Sequence, residues 1–266
     1  MYRVILSAAL LCIFAETQCR AAEIPSVYAS QPWLAGMARF IVGTTMRIVS
    51  ASVWNSSGTL RVPRRVPQGA SLIALDPADA GRFGFAAGQP GLHLLYDNLP
   101  IEESKRGALQ FNPSVLPFLS QRMLIVLCEL SPDNYSFYQR RLAEFQSRLE
   151  STAEVGRSLI FDVPILDLAG SVSPWLMAAG AKTVRPPDLL WNAWTGNTRT
   201  PDLALAVKEA ESRGWWILMD AWTPPQIRSR VTSGRNIIIN APDSDRDFFE
   251  YLHDIYLQIW SAAVAN

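Results

Sequence analysis

Residues 131–152 read SPDNYSFYQRRLAEFQSRLEST, and their spacing governs how the rest of the chain is parsed. Tyr135, Tyr138, Leu142, Phe145 and Leu149 recur at intervals of 3, 4, 3 and 4, the period of one helix face. Arg140, Arg141, Glu144, Arg148 and Glu150 fill the other faces. Ser131-Pro132-Asp133 is a helix start, with a hydroxyl to cap and Pro at the first helical position. The pattern predicts one amphipathic helix over 131–153, roughly 30 Å long at about 1.5 Å per residue. It lies near the middle of the chain, so it joins an N-terminal half to a C-terminal half.

On both sides of this helix, short β-rich runs alternate with helical stretches. Met46–Val53, Leu92–Tyr96, Leu159–Val163, Trp215–Asp220 and Asn236–Asn240 read as buried strands. Asp202–Arg213 reads as a helix, with Thr200-Pro201 before it and Gly214 as its stop. A second amphipathic helix closes the chain. Asp243, Asp245 and Asp247 load its start with the charge a helix dipole favours, and Phe248, Leu252, Ile255 and Ile259 form its apolar stripe. Such alternation predicts an α/β fold: two lobes with parallel sheets flanked by helices, joined by one long rigid helix.

The composition bounds the function. The 266 residues carry 24 basic and 24 acidic side chains, so no net charge draws the chain to nucleic acid or an anionic membrane. Arg3, an apolar run from Val4 to Ala15 and small residues up to Ala21 have the pattern of a signal peptide over residues 1–21. Export to the periplasm is then expected, with residues 22–130 as an N-terminal lobe, 131–153 as the linking helix and 154–266 as a C-terminal lobe. Without residues 1–21 the charge is 22 basic against 23 acidic, and Cys128 is the one cysteine left, read as a small core residue. The chain has no Gly-rich phosphate loop, no G-x-S-x-G elbow, no C-x-x-C and no H-E-x-x-H, so no enzyme activity is expected.

The order of parts resembles the periplasmic solute-binding proteins of zinc and manganese ABC importers. Met46–Trp54 resembles their opening strand, and Arg65–Phe83 (RVPQGASLIALDPADAGRF) their Pro-Gly loop and following helix. Phe111–Ser131 and Pro132–Leu149 resemble the region leading into the linking helix and that helix itself. Ser173–Lys182 (SPWLMAAGAK) and Asp247–Ala262 resemble segments of the second lobe. The resemblance implies two α/β lobes, a solute held between them, an ABC permease in the inner membrane as partner, and a monomer.

The family holds its metal with three His and one carboxylate, one from each of four loops, a donor set suited to zinc or manganese. Here those positions fall on other residues. The first is Ser71 counting back from Pro77 and Asp79, or Ile73 counting forward from Gly69. The second is Ser114, and the third Ala169, or Asp167 if a gap intervenes. The carboxylate position is Asn240, and the acid after the preceding strand corresponds to Asp220. The two histidines, His93 inside a strand and His253 beside the last helix's apolar stripe, read as structural. Asp243, Asp245 and Asp247 match the start of a calcium loop, but Phe248 stands where that loop needs Gly.

A cleft with altered ligand positions leaves three candidate solutes: a metal ion held unusually, a metal complex, or a small organic molecule. Trp54 and Trp222 are expected at the strand ends that face the cleft, with Asp167, Asp220 and Asn240 beside them. Trp191, Asn192 and Trp194 are expected in a loop nearby. Two functions remain. The first is capture of a solute by Trp54, Trp222 and these polar groups, for delivery to a permease. The second is a ligand-free scaffold or interaction protein, in which the tryptophans pack into one another.

Overall fold

A computed structural model describes residues 26–63, 65–97, 111–196, 202–243 and 246–264. Residues 1–21, expected as a signal peptide, Thr200-Pro201 and Asp245 lie outside the described residues.

Two four-stranded parallel sheets form, one on each side of a long helix. The first contains β1 (Ser26–Ala29), β2 (Arg47–Ser50), β5 (Ser71–Ala74) and β6 (Leu92–Leu94), in the order β2-β1-β5-β6. The second contains β7 (Pro164–Asp167), β8 (Lys182–Val184), β9 (Trp216–Asp220) and β10 (Asn236–Ile239), in the order β10-β9-β7-β8. In the first sheet the order reverses between β1 and β5, and in the second between β7 and β9. The carboxyl ends of those strands are where such sheets place a site. A two-stranded antiparallel hairpin, β3 (Val53–Trp54) with β4 (Leu60–Arg61), leaves the first sheet after β2.

The helices around the first sheet are α1 (Pro32–Val42), α2 (Pro77–Gly81) and α3 (Leu116–Leu130). A 3-10 turn, Pro132–Asn134, leads into the long helix α4 (Tyr135–Ile160). The second lobe adds α5 (Ser173–Ala178), α6 (Asp188–Thr195), α7 (Asp202–Ser212), α8 (Pro225–Arg228) and α9 (Phe248–Val264). α4 runs 26 residues, about 39 Å at ~1.5 Å per residue, longer than its sequence pattern suggests. Tyr138, Leu142, Phe145, Leu149, Thr152, Gly156 and Ile160 form its buried face. Its first half packs on α1, where Arg141 donates Nε–H to the Phe40 carbonyl at 3.0 Å and the Tyr138 hydroxyl meets Thr45 Oγ1 at 2.8 Å. Its second half packs on α9, and Gly156 makes the close approach possible. A Cβ there would stand 2.3 Å from the Tyr256 ring, whose hydroxyl donates to the Trp175 carbonyl. One apolar core runs through both lobes by way of α1, α4 and α9.

Four sequence expectations change. Leu159–Val163 is not a strand: Leu159 and Ile160 finish α4, because Ile160 continues the face that carries Thr152 and Gly156 into the core. The turn comes at Asp162, a left-handed residue at φ 58° of a type that tolerates it, and the strand starts at Pro164. The first strand is Ser26–Ala29 rather than Met46–Val53. That second segment divides into the sheet edge β2 and the hairpin strand β3, so Trp54 belongs to the hairpin. Ser131 does not cap the helix with its hydroxyl, which instead accepts from Asn134 Nδ2 at 2.8 Å. Finally, Trp191, Asn192 and Trp194 lie on helix α6 instead of in a loop. Trp194 fills the outer core of the second lobe, exposed Asn192 faces solvent, and Trp191 lies under Arg185.

Candidate functional site

At the reversal point of each sheet a buried aspartate ties together neighbouring loops at the strand ends. In the first lobe this is Asp79 at 5% exposure, held in the turn of α2 by Asp76, which caps the helix through Asp79 N–H. Its carboxylate accepts from the Ser30 hydroxyl, from Leu75 N–H at 3.1 Å and from Gln31 Nε2 at 3.3 Å. Ser30 and Gln31 come directly after β1, and Leu75 directly after β5. In the second lobe it is Asp220, the last residue of β9 and fully buried. Its carboxylate accepts four backbone N–H groups: Gly170 at 2.9 Å, Ser171 at 2.7 Å, Val172 at 3.2 Å and Trp222 at 3.0 Å. These carboxylates are spent on the protein's own donors.

Asp167, at the end of β7, is also engaged. Its Oδ1 accepts Ala169 N–H at 3.0 Å, and Arg185 Nη1 lies 3.4 Å from Oδ2. The same guanidinium nitrogen donates to the Ala169 carbonyl at 2.7 Å and the Ser173 hydroxyl at 2.6 Å, and Arg185 stacks over Trp191 at 4.9 Å. A resident cation thus sits on this carboxylate. Burial pushes the Asp167 carboxyl up, against the pull of Arg185 and of its hydrogen bonds. A raised carboxyl pKa contributes stability that is complete below its ordinary value of 3.8 and is lost as pH rises through the folded value. Removing Arg185 raises it further. Arg185→Met should therefore cost about 1–2 kcal/mol at neutral pH, a figure reduced for the 42% exposure of the arginine. The deficit in Tm against the parent, measured from pH 4 to pH 7, should widen as pH rises.

Between the two reversal points lies an aromatic cluster. Trp54 meets Trp222 edge to face, ring centres 5.4 Å apart and planes at 84°. Phe111, 1% exposed, packs on both at 5.8 and 5.4 Å and passes the contact to Tyr251 and Phe248 at 5.8 and 6.5 Å. The β3–β4 hairpin closes over the indole of Trp222. Gly58, at φ +71°, lies so close that a Cβ would stand 2.8 Å from the Trp222 ring nitrogen. Gly170 approaches Trp222 from below, with a Cβ position 2.6 Å from its carbonyl oxygen. The free space left in the adjoining crevice is about 20 Å³, room for roughly one water. Burial, and then the charge of Asp220, push the Tyr251 phenol up, so it stays a neutral donor to the Asn240 carbonyl at 3.1 Å.

The structure brings Trp54 and Trp222 together as mutual packing partners. Asp220 adjoins them with its carboxylate turned inward. Asn240 is exposed and reaches the cluster only through its backbone. Ser71 opens β5 opposite Val27, at the end of the sheet away from the crevice, and Ile73 is a fully buried strand residue. Ser114 is exposed in the loop before α3, its N–H on Asn112 Oδ1 at 2.9 Å, and Ala169 is buried behind β7. His93 faces Glu129 at 3.7 Å in the first lobe, and His253 meets Thr152 Oγ1 at 3.3 Å on α9. Asp247 caps α9 by accepting Phe249 and Glu250 N–H. Among the described residues no three His, Cys, Asp or Glu side chains are placed to hold one metal ion. Sequence reasoning missed Phe111, Gly58 and Gly170. The Asn55-Ser-Ser-Gly58 run before Thr59 was the available signal for a tight turn carrying the glycine.

The fold matches solved structures over nearly its whole length. A crystal structure of ZnuA superposes with a TM-score of 0.64 at 13% identity, covering 90% of this chain and 99% of that one. The solute-binding protein FpvC from Pseudomonas aeruginosa, in complex with Mn2+, gives 0.62 at 12% identity, covering 91% and 99%. A Mn-bound periplasmic metal-binding protein from Candidatus Liberibacter asiaticus gives 0.58 at 11%, covering 89% and 98%. This chain has their fold. No family model and no curated protein sequence matches it. The likeness therefore rests on the course of the backbone, two lobes on one long helix, and leaves the crevice to be read from its own side chains. No helix among the described residues is long and apolar enough to cross a membrane.

Proposed function

We propose that the protein is a periplasmic, non-enzymatic binding protein that has kept the two-lobed architecture and sealed the interlobe crevice with its own aromatic side chains. It works through its surface, as an interaction or scaffold protein. One observation carries this reading: Trp54, Phe111 and Trp222 pack on one another across the crevice, under the hairpin that carries Gly58. The carboxylates that could have drawn a cation inward, Asp79, Asp167 and Asp220, are occupied by internal donors. Similarity to binding proteins, rather than enzymes, supports the non-enzymatic part.

A second reading is favoured by the origin of the two indoles. Trp54 comes from the first lobe and Trp222 from the second, so parting the lobes would part the rings and open an aromatic slot. A planar organic solute or a metal complex would fit between them, and an ABC permease would be the recipient. A thermal-shift series separates the two, using metal-stripped protein against zinc, manganese, iron, copper, calcium and a panel of planar organic compounds. A ligand at about 100 times its Kd adds about 2.7 kcal/mol, which is readily seen. The surface reading expects silence across the panel. A shift from a planar compound that also quenches tryptophan fluorescence would replace it with the second.

A further inference from the structure

The second sheet ends at β10, and the edge it leaves is apolar. The carbonyls of Arg235 and Ile239 accept from Ile217 and Ala221 N–H at 3.0 and 2.8 Å, so alternate residues of this strand serve β9. Asn236, Ile238 and Asn240 therefore turn their backbone groups outward. Among the described residues β10 pairs with no strand but β9. Sheet edges are normally blunted by charge or proline. The opposite edge of this sheet, β8, starts with exposed Lys182, whereas residues 236–240 read Asn-Ile-Ile-Ile-Asn and carry neither. Arg235, just before them, is turned back into its own lobe. Its guanidinium lies over Trp216 at 5.1 Å, and its Nη1 donates to the Gly214 carbonyl at 3.2 Å.

Beside the edge an open groove of about 520 Å³ runs between β10 and α9, with Asn236, Ile238, Asp254 and Leu257 among its walls. Ile238 is 46% exposed and Leu257 45%, so both walls present apolar surface. Asn236 adds the deciding detail. Its side-chain Oδ1 is buried and has no hydrogen-bond partner among the described residues, a costly state for a polar atom.

We infer that a second copy of this chain docks on this edge, β10 against β10, antiparallel about a two-fold axis at Ile238. Asn-Ile-Ile-Ile-Asn reads the same in both directions, so the axis sets each residue against its own kind. Ile238 exchanges both backbone bonds with Ile238 of the second copy, and Asn236 does so with Asn240 of the second copy. Opposite residues in such a pair stand about 5.5 Å apart at Cα, within reach of a bond between side-chain amides. Exposed Asn240 of the second copy then donates Nδ2–H to the orphaned Oδ1 of Asn236. A foreign strand supplies the backbone bonds without that amide, and this favours the second copy as occupant. Two four-stranded sheets become one continuous sheet, and the pairing stops at the dimer because it consumes the edge of each copy. It takes nothing from the crevice and stands whether or not the crevice takes a solute.

Sedimentation of the full chain across a concentration series, with amide hydrogen exchange at both ends of the series, tests this. A monomer–dimer equilibrium is expected, with the Ile238 N–H exchanging freely in the dilute chain and protected in the concentrated one. Ile238→Lys sets like charges against each other on the axis, and Asn240→Asp sets a carboxylate against the Asn236 oxygen. Each should weaken the dimer about tenfold or more. Both side chains are exposed, so the fold and the Tm of the monomer should persist. Leu205→Lys, at an exposed apolar residue of α7, should leave dimerisation unchanged. A chain that stays monomeric at millimolar concentration, or that dimerises equally well as Ile238→Lys and Asn240→Asp, would overturn the assignment. So would protection of the Ile238 N–H that arises only when a synthetic Thr-Val repeat peptide is added, which would give the edge to a foreign strand.

Discussion

Asp220→Ala should destabilise the protein by at least about 3 kcal/mol, read as a fall in the urea midpoint, the upper range for a buried polar group that loses its partner. Four backbone N–H groups converge on this carboxylate from two loops, and its removal takes away the acceptor they share. Asp220→Asn should recover little. Oδ1 accepts Gly170 and Trp222 N–H, and Oδ2 accepts Ser171 and Val172 N–H, so an amide NH2 in either orientation faces two donors. Typical stabilities are about 5–15 kcal/mol, and such a loss is a large share of the total. Because Asp220 links the end of β9 to the loop after β7, the variant should also loosen the seat of Trp222. Full stability in Asp220→Asn would show that the carboxylate is not the tie described.

Trp222→Ala should cost about 2–3 kcal/mol, less than the ~3–5 kcal/mol of a fully enclosed tryptophan because Trp222 is half-buried. The larger consequence is local. Trp54 and Phe111 lose a shared neighbour, the hairpin loses the indole on which Gly58 rests, and the crevice opens to solvent. Acrylamide quenching of the remaining tryptophans should rise, with Trp54 responsible for the increase, as Trp54→Phe in the same background would show. Trp222→Phe keeps a ring in place and should quench nearly as the parent does. An unchanged quenching profile in Trp222→Ala would mean that the indole does not close the crevice.

The architecture was legible because its decisive features are periodic. The 3-4-3-4 spacing through Tyr135 and Leu149 marks a helix whatever surrounds it, and the apolar runs at Trp216–Asp220 and Asn236–Ile239 have few alternatives in an α/β chain. Boundaries were less legible wherever tertiary contact outweighed local preference. Leu159 and Ile160 look like strand residues, yet the shared core gives Ile160 a buried helical site. Of the site, Trp222 stands just after a legible strand, whereas Trp54 reads as the end of a sheet strand and lies instead on the hairpin. Their mutual packing could not be anticipated, because it depends on a hairpin bridging the lobes and on two glycines, Gly58 and Gly170, far apart in sequence. Counting from motifs also failed to place Ser71 and Ile73 near the crevice, since such counts do not register where a strand begins. The role of Asp167 was open in sequence for a similar reason: its partner Arg185 stands 18 residues away.

The most direct test of the sealed crevice is the set of nuclear Overhauser contacts among the rings of Trp54, Phe111 and Trp222 in metal-stripped protein, recorded again after zinc and then manganese are added. Contacts between the Trp54 and Trp222 indoles, and from both to Phe111, are predicted in the free protein and should persist unchanged with either metal. Their absence from the free protein, or their loss when a metal is added, would contradict a sealed crevice and show one that stands open or opens to receive an ion.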